Sequence, residues 1–345
     1  MTNPTLQQIT IETLSTPAPI PNRGNEDAWL ALENNQPSGT IIAAVIDGAG
    51  ARLALPPLQK ALAQYHQGIS AAAFASQTVQ SSLLKQFTDQ PNLALDAALL
   101  KANETLQTKV AGYIGRFSPE HILMLAGQPS TSDPRRIRLV LPACVITLIR
   151  LNKTTGQLEF AHAGDTSLLE IKRNGEVVRH TSDQMGAYDT AALRLAVELW
   201  KERKLPHLSD AINLPDVRQL NNKNGLRHNF ADENGQTQPG HGCGVIDGLP
   251  ELVDYIETGT LQVDLQQTEG FCLLSDGMEL LAPLEESPVQ TVARLNKTGQ
   301  ILKTGGVGGL FETIQHMAQS DPYFDQYPRM KFIDDATGIY LRFHN

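Results

Sequence analysis

Residues 40–47 read TIIAAVID, a run that after Thr40 is apolar at every position until an aspartate closes it. Apolar side chains on both faces predict a strand buried on both sides. The pattern returns at 270–274, GFCLL, which runs into Ser-Asp-Gly. Two other stretches, QQITIET (7–13) and DAWLALE (27–33), alternate and predict half-buried strands. Residues 70–87 and 92–110 change period, with apolar positions three and four apart. They predict two amphipathic helices, broken at QPN, with Asn92 as the cap of the second. Four segments follow, ACVITLIRL (143–151), GQLEFAHAG (156–164), TSLLEIKR (166–173) and GEVVRH (175–180). The intervening NKTTG, GDT and RNG are turn chemistry, so the expectation is an antiparallel meander.

A helix is expected at 187–202. Residues 205–250 are polar and rich in Asn and Gly, and predict a long irregular segment. Helices at 288–295 and 309–319 and a strand at 337–343 complete the chain. Strands and helices come in groups rather than in alternation. That order predicts an α+β fold, with antiparallel sheets covered by helices. No repeat or linker divides the chain, so residues 1–345 are expected to form one domain, with 205–250 as an insertion or flap.

Composition narrows the function classes. The 345 residues are 41% hydrophobic and 19% charged, with a net charge of -9. Basic clusters such as PRRIR and KERK are short and isolated, which disfavours nucleic acid and anionic membranes as partners. No stretch has the ~20 apolar residues of a membrane helix, and the N-terminus lacks a signal-peptide pattern. The three cysteines, Cys144, Cys243 and Cys272, are far apart and odd in number. A reducing, cytoplasmic setting is therefore expected.

The chemistry-bearing residues are carboxylates beside strands: Glu26 and Asp27 in GNEDAW, Asp47 in VIDGAG, Asp276 in LLSDGM, and Asp334 and Asp335 in FIDDAT. Asp165 lies between two predicted strands. One such aspartate reads as a turn former. Gathered together, they repel unless a cation joins them. Oxygen donors without clustered His or Cys point to Mg²⁺ or Mn²⁺ rather than zinc.

The ordered blocks NEDAW, VIDGAG, AHAGDTSLLEI with HTSDQMG, FCLLSDGMELL and DDATGIYL resemble the metal-dependent protein serine/threonine phosphatases of type 2C. The resemblance runs from about residue 20 to 343. It implies two antiparallel sheets packed face to face between helices, a four-layer α-β-β-α sandwich with a two-metal site at one end. It further implies that Asp47 bridges two Mn²⁺ or Mg²⁺ ions. Asp276 and Asp334 would hold one ion, and Glu26 with the Gly48 carbonyl the other. Asp27 would ligate an ion or orient its water, Asp165 would serve a third ion, and Asp335 would lie behind the ligands. Phosphoprotein substrates and an opposing serine/threonine kinase are the implied partners.

Three positions depart from the family pattern. Arg23, the candidate for gripping phosphate, has one residue rather than two between it and Asn25. Ala49 stands where some relatives carry a histidine, and Ser167 where an arginine is usual. His162 reads as structural, and Asp247 as a turn or cap residue. GHGCGVIDG and KTGGVGGLF read as plain loops. Cys144 and Arg150 have the Cys-x₅-Arg spacing of thiol phosphatases, but the residues between them read as a strand rather than a phosphate-cradling loop. Besides the phosphatase reading, two others stay open: a catalytically silent phosphoprotein-binding relative, and a metal-dependent hydrolase of another phosphoester.

Overall fold

The structure, a computed structural model, describes residues 8–21, 23–33, 39–65 and 68–344. Two five-stranded antiparallel sheets form its centre. The first contains β2 (Ala28–Glu33), β3 (Thr40–Ala49), β4 (Ala143–Asn152), β5 (Gln157–Ala163) and β8 (Glu257–Gln262), in that order across the sheet. The second has the order β1 (Ile9–Thr16), β10 (Ala336–Phe343), β9 (Thr268–Leu274), β6 (Ser167–Lys172) and β7 (Val177–Arg179). The first expected strand is thus displaced toward the C-terminus, and its Gln7 lies outside the described residues.

The apolar run of β3 is explained by what lies on each face. Ile41, Ala43 and Val45 join Phe271, Leu273, Ile339 and Leu341 between the sheets. Ile42, Ala44 and Ile46 face the other way, toward α1 (Pro56–Tyr65), α2 (Ala71–Asp89), α3 (Leu95–Ile114) and α4 (Pro119–Leu125). The outer face of the second sheet packs on α8 (Pro288–Ser320) through Cys272, Leu274, Leu302, Leu310 and Tyr340. Helices, sheet, sheet and helix make the expected four layers.

Several local expectations change. Asn92 is not the cap of α3, which starts at Leu95 after Ala94 without a side-chain cap. The meander is interrupted: β5 pairs with β4 and β8, whereas β6 pairs with β9 and β7. The GDT segment is therefore a crossing from one sheet to the other. KTGGVGGLF is not a loop. It lies inside α8, kinked at Gly306, which takes φ 63° and ψ -163° against the Glu12 carboxylate. Helix propensity favours ending a helix at such glycines, but packing of Leu302, Val307 and Leu310 on the sheet overrides it.

Residues 205–250 are more ordered than their polarity suggests. After α5 (Gly186–Glu202) come α6 (Leu208–Ile212) and α7 (Pro215–Asn224), and the three share a small apolar core. Phe324 and Met330, from the loop before β10, pack against that core. Residues 242–249 are buried, and Ile246 pairs with Cys144 at the start of β4.

Candidate metal centre

Strand register brings the predicted carboxylates to one end of the sandwich. Ala28 at the start of β2 pairs with Ile46, one residue before Asp47. Ala163 at the end of β5 pairs with Ile146, and Asp47 itself with Val145. In the other sheet, the end of β9 lies beside the start of β10, since Leu274 pairs with Gly338. Glu26, Asp47, Asp165, Asp276 and Asp334 consequently all line one cavity of about 790 Å³.

The glycines following Asp47 and Asp276 set the spacing. Asp47 and Gly48 do not turn; both remain in β3, paired with β4. A Cβ on Gly48 would lie 2.5 Å from the Glu26 carbonyl oxygen, so glycine lets the β2 entry approach β3. A Cβ on Gly277 would overlap the Asp335 carbonyl oxygen. Asp276 can therefore sit against the entry to β10. There the Ser275 amide donates to the Thr337 carbonyl at 2.9 Å, and the Thr337 amide to Ser275 Oγ at 2.9 Å.

Burial and mutual repulsion act on these acids together. Burial raises Asp47 well above the usual carboxylate range, and Asp27, Asp276, Asp165 and Asp334 add to it. Asp165 is raised in the same way by burial, then by Asp276, Asp183 and Asp189. Asp276 opens into the cavity but is walled by protein, and it is pushed up to about 7 by burial and Asp334. Asp27 also rises to about 7, first by burial and then by Asp276. Neither of its oxygens makes a well-formed hydrogen bond, although the Ser275 and Thr337 hydroxyls pull against the shift.

Asp27 and Asp335 stand behind the cavity wall rather than on it. Asp335 is a tether. Its Oδ1 accepts from the Ala18 amide at 2.7 Å, and its Oδ2 from the Glu26 amide at 3.3 Å and from Arg23 Nη2 at 3.4 Å. The same Arg23 nitrogen is ion-paired with Glu26. Ser76 on α2 donates to the Glu26 carbonyl at 2.6 Å, fixing that backbone from the helix side.

His162 is structural, as its position in a strand suggested. It is fully buried, bonded to Thr147 Oγ1 at 3.0 Å and to the Ser182 carbonyl at 2.9 Å. Ser167 bonds Glu279 at 2.8 Å. Arg179 on β7 reaches the same Glu279 at 3.2 Å and the Asp165 carbonyl at 3.2 Å. An arginine thus arrives beside Asp165 from a different strand. Asp247 accepts from the Leu249 amide at 2.9 Å, a turn role. The thiol reading fails on geometry: Cys144 and Arg150 lie on one strand, about 20 Å apart at ~3.3 Å per residue, and Arg150 is paired with Glu159.

Sequence reasoning missed the cavity's other wall. Arg52, Asp189, His228, Arg329 and Lys331 line it. Lys331 is ion-paired with Asp334, three residues ahead, and that spacing in PRMKFIDD was the available signal. Among the described residues, no three His, Cys, Asp or Glu side chains converge enough to enclose one metal ion. The five cavity carboxylates are oxygen donors of the kind a hydrated hard cation takes one or two at a time, keeping several waters. The partnerless oxygens of Asp27 and the raised acids are what such a cation would relieve.

The chain belongs to the protein phosphatase 2C family, whose model matches residues 22–306. That match takes in Arg23 through Asp276 but ends before Lys331 and Asp334. Among solved structures, the Mycobacterium tuberculosis serine/threonine phosphatase PstP/Ppp is 15% identical, with 98% of this chain and 99% of that chain covered and a TM-score of 0.49. A PstP catalytic domain in complex with two manganese ions is 14% identical, with 98% and 99% covered and a TM-score of 0.49. Staphylococcus aureus Stp1 is 12% identical, with 98% and 96% covered and a TM-score of 0.49. No curated protein matches the sequence. No helix among the described residues is long and apolar enough to cross a membrane.

Proposed function

We propose that this protein is a metal-dependent phosphatase that hydrolyses phosphoserine and phosphothreonine in proteins. The observation that carries the reading is the cavity lined by Glu26, Asp47, Asp165, Asp276 and Asp334, drawn from both sheets at one end of the sandwich. Two Mn²⁺ or Mg²⁺ ions fit this oxygen-rich donor set, and a third would lie by Asp165. When bound, the ions supply an activated water and positive charge against the phosphoryl oxygens.

In this reading the chain's residues have distinct tasks. Asp47 would be shared by the two ions, Asp276 and Asp334 would hold one, and Glu26 with the Gly48 carbonyl would hold the other. Asp27, unable to reach solvent, orients what Asp47 and Asp276 hold. Asp335 positions Glu26 and Arg23 through the bonds described above. Arg23 grips a phosphoryl oxygen with the guanidinium edge that Glu26 and Asp335 leave free. Ala49 carries no transferable proton, so water, or the charge of the ions on the leaving oxygen, would take the place of a side-chain acid. The 186–250 segment, with its own apolar core, walls the side of the cavity where the peptide would enter. We read residues 1–345 as one cytoplasmic domain opposing a serine/threonine kinase in signalling.

The test is phosphate release from phosphoserine, phosphothreonine and phosphotyrosine peptides, with Mn²⁺ or with EDTA. Release from the first two, only with Mn²⁺, is expected. Equal release in EDTA would contradict the reading. So would turnover of small phosphoesters with no turnover of any peptide.

A further inference from the structure

Four cationic side chains line the cavity: Arg23, Arg52, Arg329 and Lys331. Arg23 and Arg329 are already ion-paired, and Arg52 feels a carboxylate only at longer range. Arg23 sits between Glu26 and Asp335. Arg329 is consumed by its own loop, bonding Asp321 Oδ2 at 2.9 Å and the carbonyls of Tyr327 and Asp321 at 2.8 and 2.6 Å, and stacking 4.2 Å from the Phe324 ring. Arg52 feels the charge of Asp189 but, among the described residues, forms no ion pair with it.

Lys331 differs. Among the described residues its one ion-pair partner is Asp334, a proposed metal ligand, and its ammonium also feels Asp276 and Asp47. Half of its side chain remains accessible, so the four-carbon stem can swing while Arg329 holds the loop. A divalent cation taking Asp334 would strip Lys331 of its partner while leaving it in the cavity. Left beside that cation without its counter-ion, the half-exposed ammonium is repelled, and a phosphoryl dianion, which both charges attract, is the natural replacement.

Building on the phosphatase reading, we propose that Lys331 is a phosphate-binding residue that exchanges partners: it shares Asp334 with the metal, and when displaced it binds a phosphoryl oxygen of the substrate. Its side chain thus couples metal loading to substrate capture. The residue lies outside the segment matched to the family, in the loop that leads into β10.

The experiment is calorimetric titration of wild-type protein, Lys331→Gln and Lys331→Arg, first with Mn²⁺ alone and then, on the Mn²⁺-loaded proteins, with inorganic phosphate. Removing a contact charge should tighten Mn²⁺ binding in Lys331→Gln by about tenfold and weaken phosphate binding by about tenfold. Lys331→Arg should keep phosphate binding within about threefold of wild type. Unchanged titrations in Lys331→Gln would overturn the proposal. Weaker Mn²⁺ binding would also overturn it, making Lys331 a prop for Asp334. Tighter Mn²⁺ binding with unchanged phosphate binding would overturn the exchange. Both titrations read binding, so a wild-type protein that fails to hydrolyse phosphopeptides would count against the catalytic reading alone.

Discussion

Asp47 stands on β3 and Asp276 in a short turn two residues past the end of β9, both carried by paired strands, whereas Asp334 stands on a loop held largely by Arg329. In β3 and β9 each residue is fixed by ladder bonds and by apolar neighbours between and outside the sheets. Residues 321–335 have no ladder. Their order comes from the Arg329 hub, the packing of Phe324 and Met330 on the 186–224 helices, and the Asp335 tether. The contrast separates two jobs. Carboxylates carried on a strand or just past its end are held more rigidly than one on a loop. In the proposed reading the loop adds an adjustable ligand, Asp334, and Lys331, whose ion-pair partner among the described residues is that same Asp334.

The strongest way to break the strand side is Gly277→Ala. Its methyl would overlap the Asp335 carbonyl, and the backbone cannot yield without parting β9 from β10. A loss of about 3 kcal/mol or more is expected in urea unfolding, with loss of activity. A stable, active Gly277→Ala would show that the close approach is not required.

On the loop side, Arg329→Ala leaves Asp321, nearly buried, without its counter-charge. A cost of about 3 kcal/mol is expected, together with weaker Mn²⁺ binding, because Asp334 loses its footing. Calorimetry on the folded variant reads the second effect. Unchanged Mn²⁺ affinity would mean that the loop does not position Asp334.

Asp247 sharpens the comparison through pH. Its folded-state value is pushed up to about 7 by burial, against an unfolded value near 3.9. A raised value favours the protonated form, so its contribution is full below about pH 4 and lost as pH rises through 7. Asp247→Asn should therefore match wild type in stability at pH 4 and exceed it at pH 8, by roughly 4 kcal/mol. Curves that stay parallel across this range would sink the assignment.

The smallest effect is expected at His207, which stacks 3.7 Å from Tyr323 and pairs with Asp325 at 3.1 Å at an exposed edge of the helices and loop. His207→Ala should cost under about 1 kcal/mol. A much larger loss would make this contact, not the Phe324 and Met330 packing, the anchor between them.

The strand side was legible in the sequence because two-sided burial leaves a signature, an unbroken apolar run ending in Asp-Gly. Even there the reason for glycine was hidden, since neither Glu26 nor Asp335 is near its glycine in sequence. The crossing at Asp165 read as a hairpin because turn chemistry does not reveal which sheet the next strand joins. The 205–250 helices were masked by polar surface and a core too small to give periodicity. Lys331 was overlooked because a lysine three residues from an aspartate is ordinary; its meaning comes from the cavity that both face.

The most direct test of the whole account is hydrolysis of p-nitrophenyl phosphate by wild type and Asp276→Asn, with and without Mn²⁺. A neutral amide keeps the shape of the strand end but is a poor ligand for a hard cation. The account predicts Mn²⁺-dependent turnover by wild type and a loss of about a hundredfold in the variant, with the melting temperature maintained. Turnover that ignores Mn²⁺, or a folded Asp276→Asn as active as wild type, would contradict it.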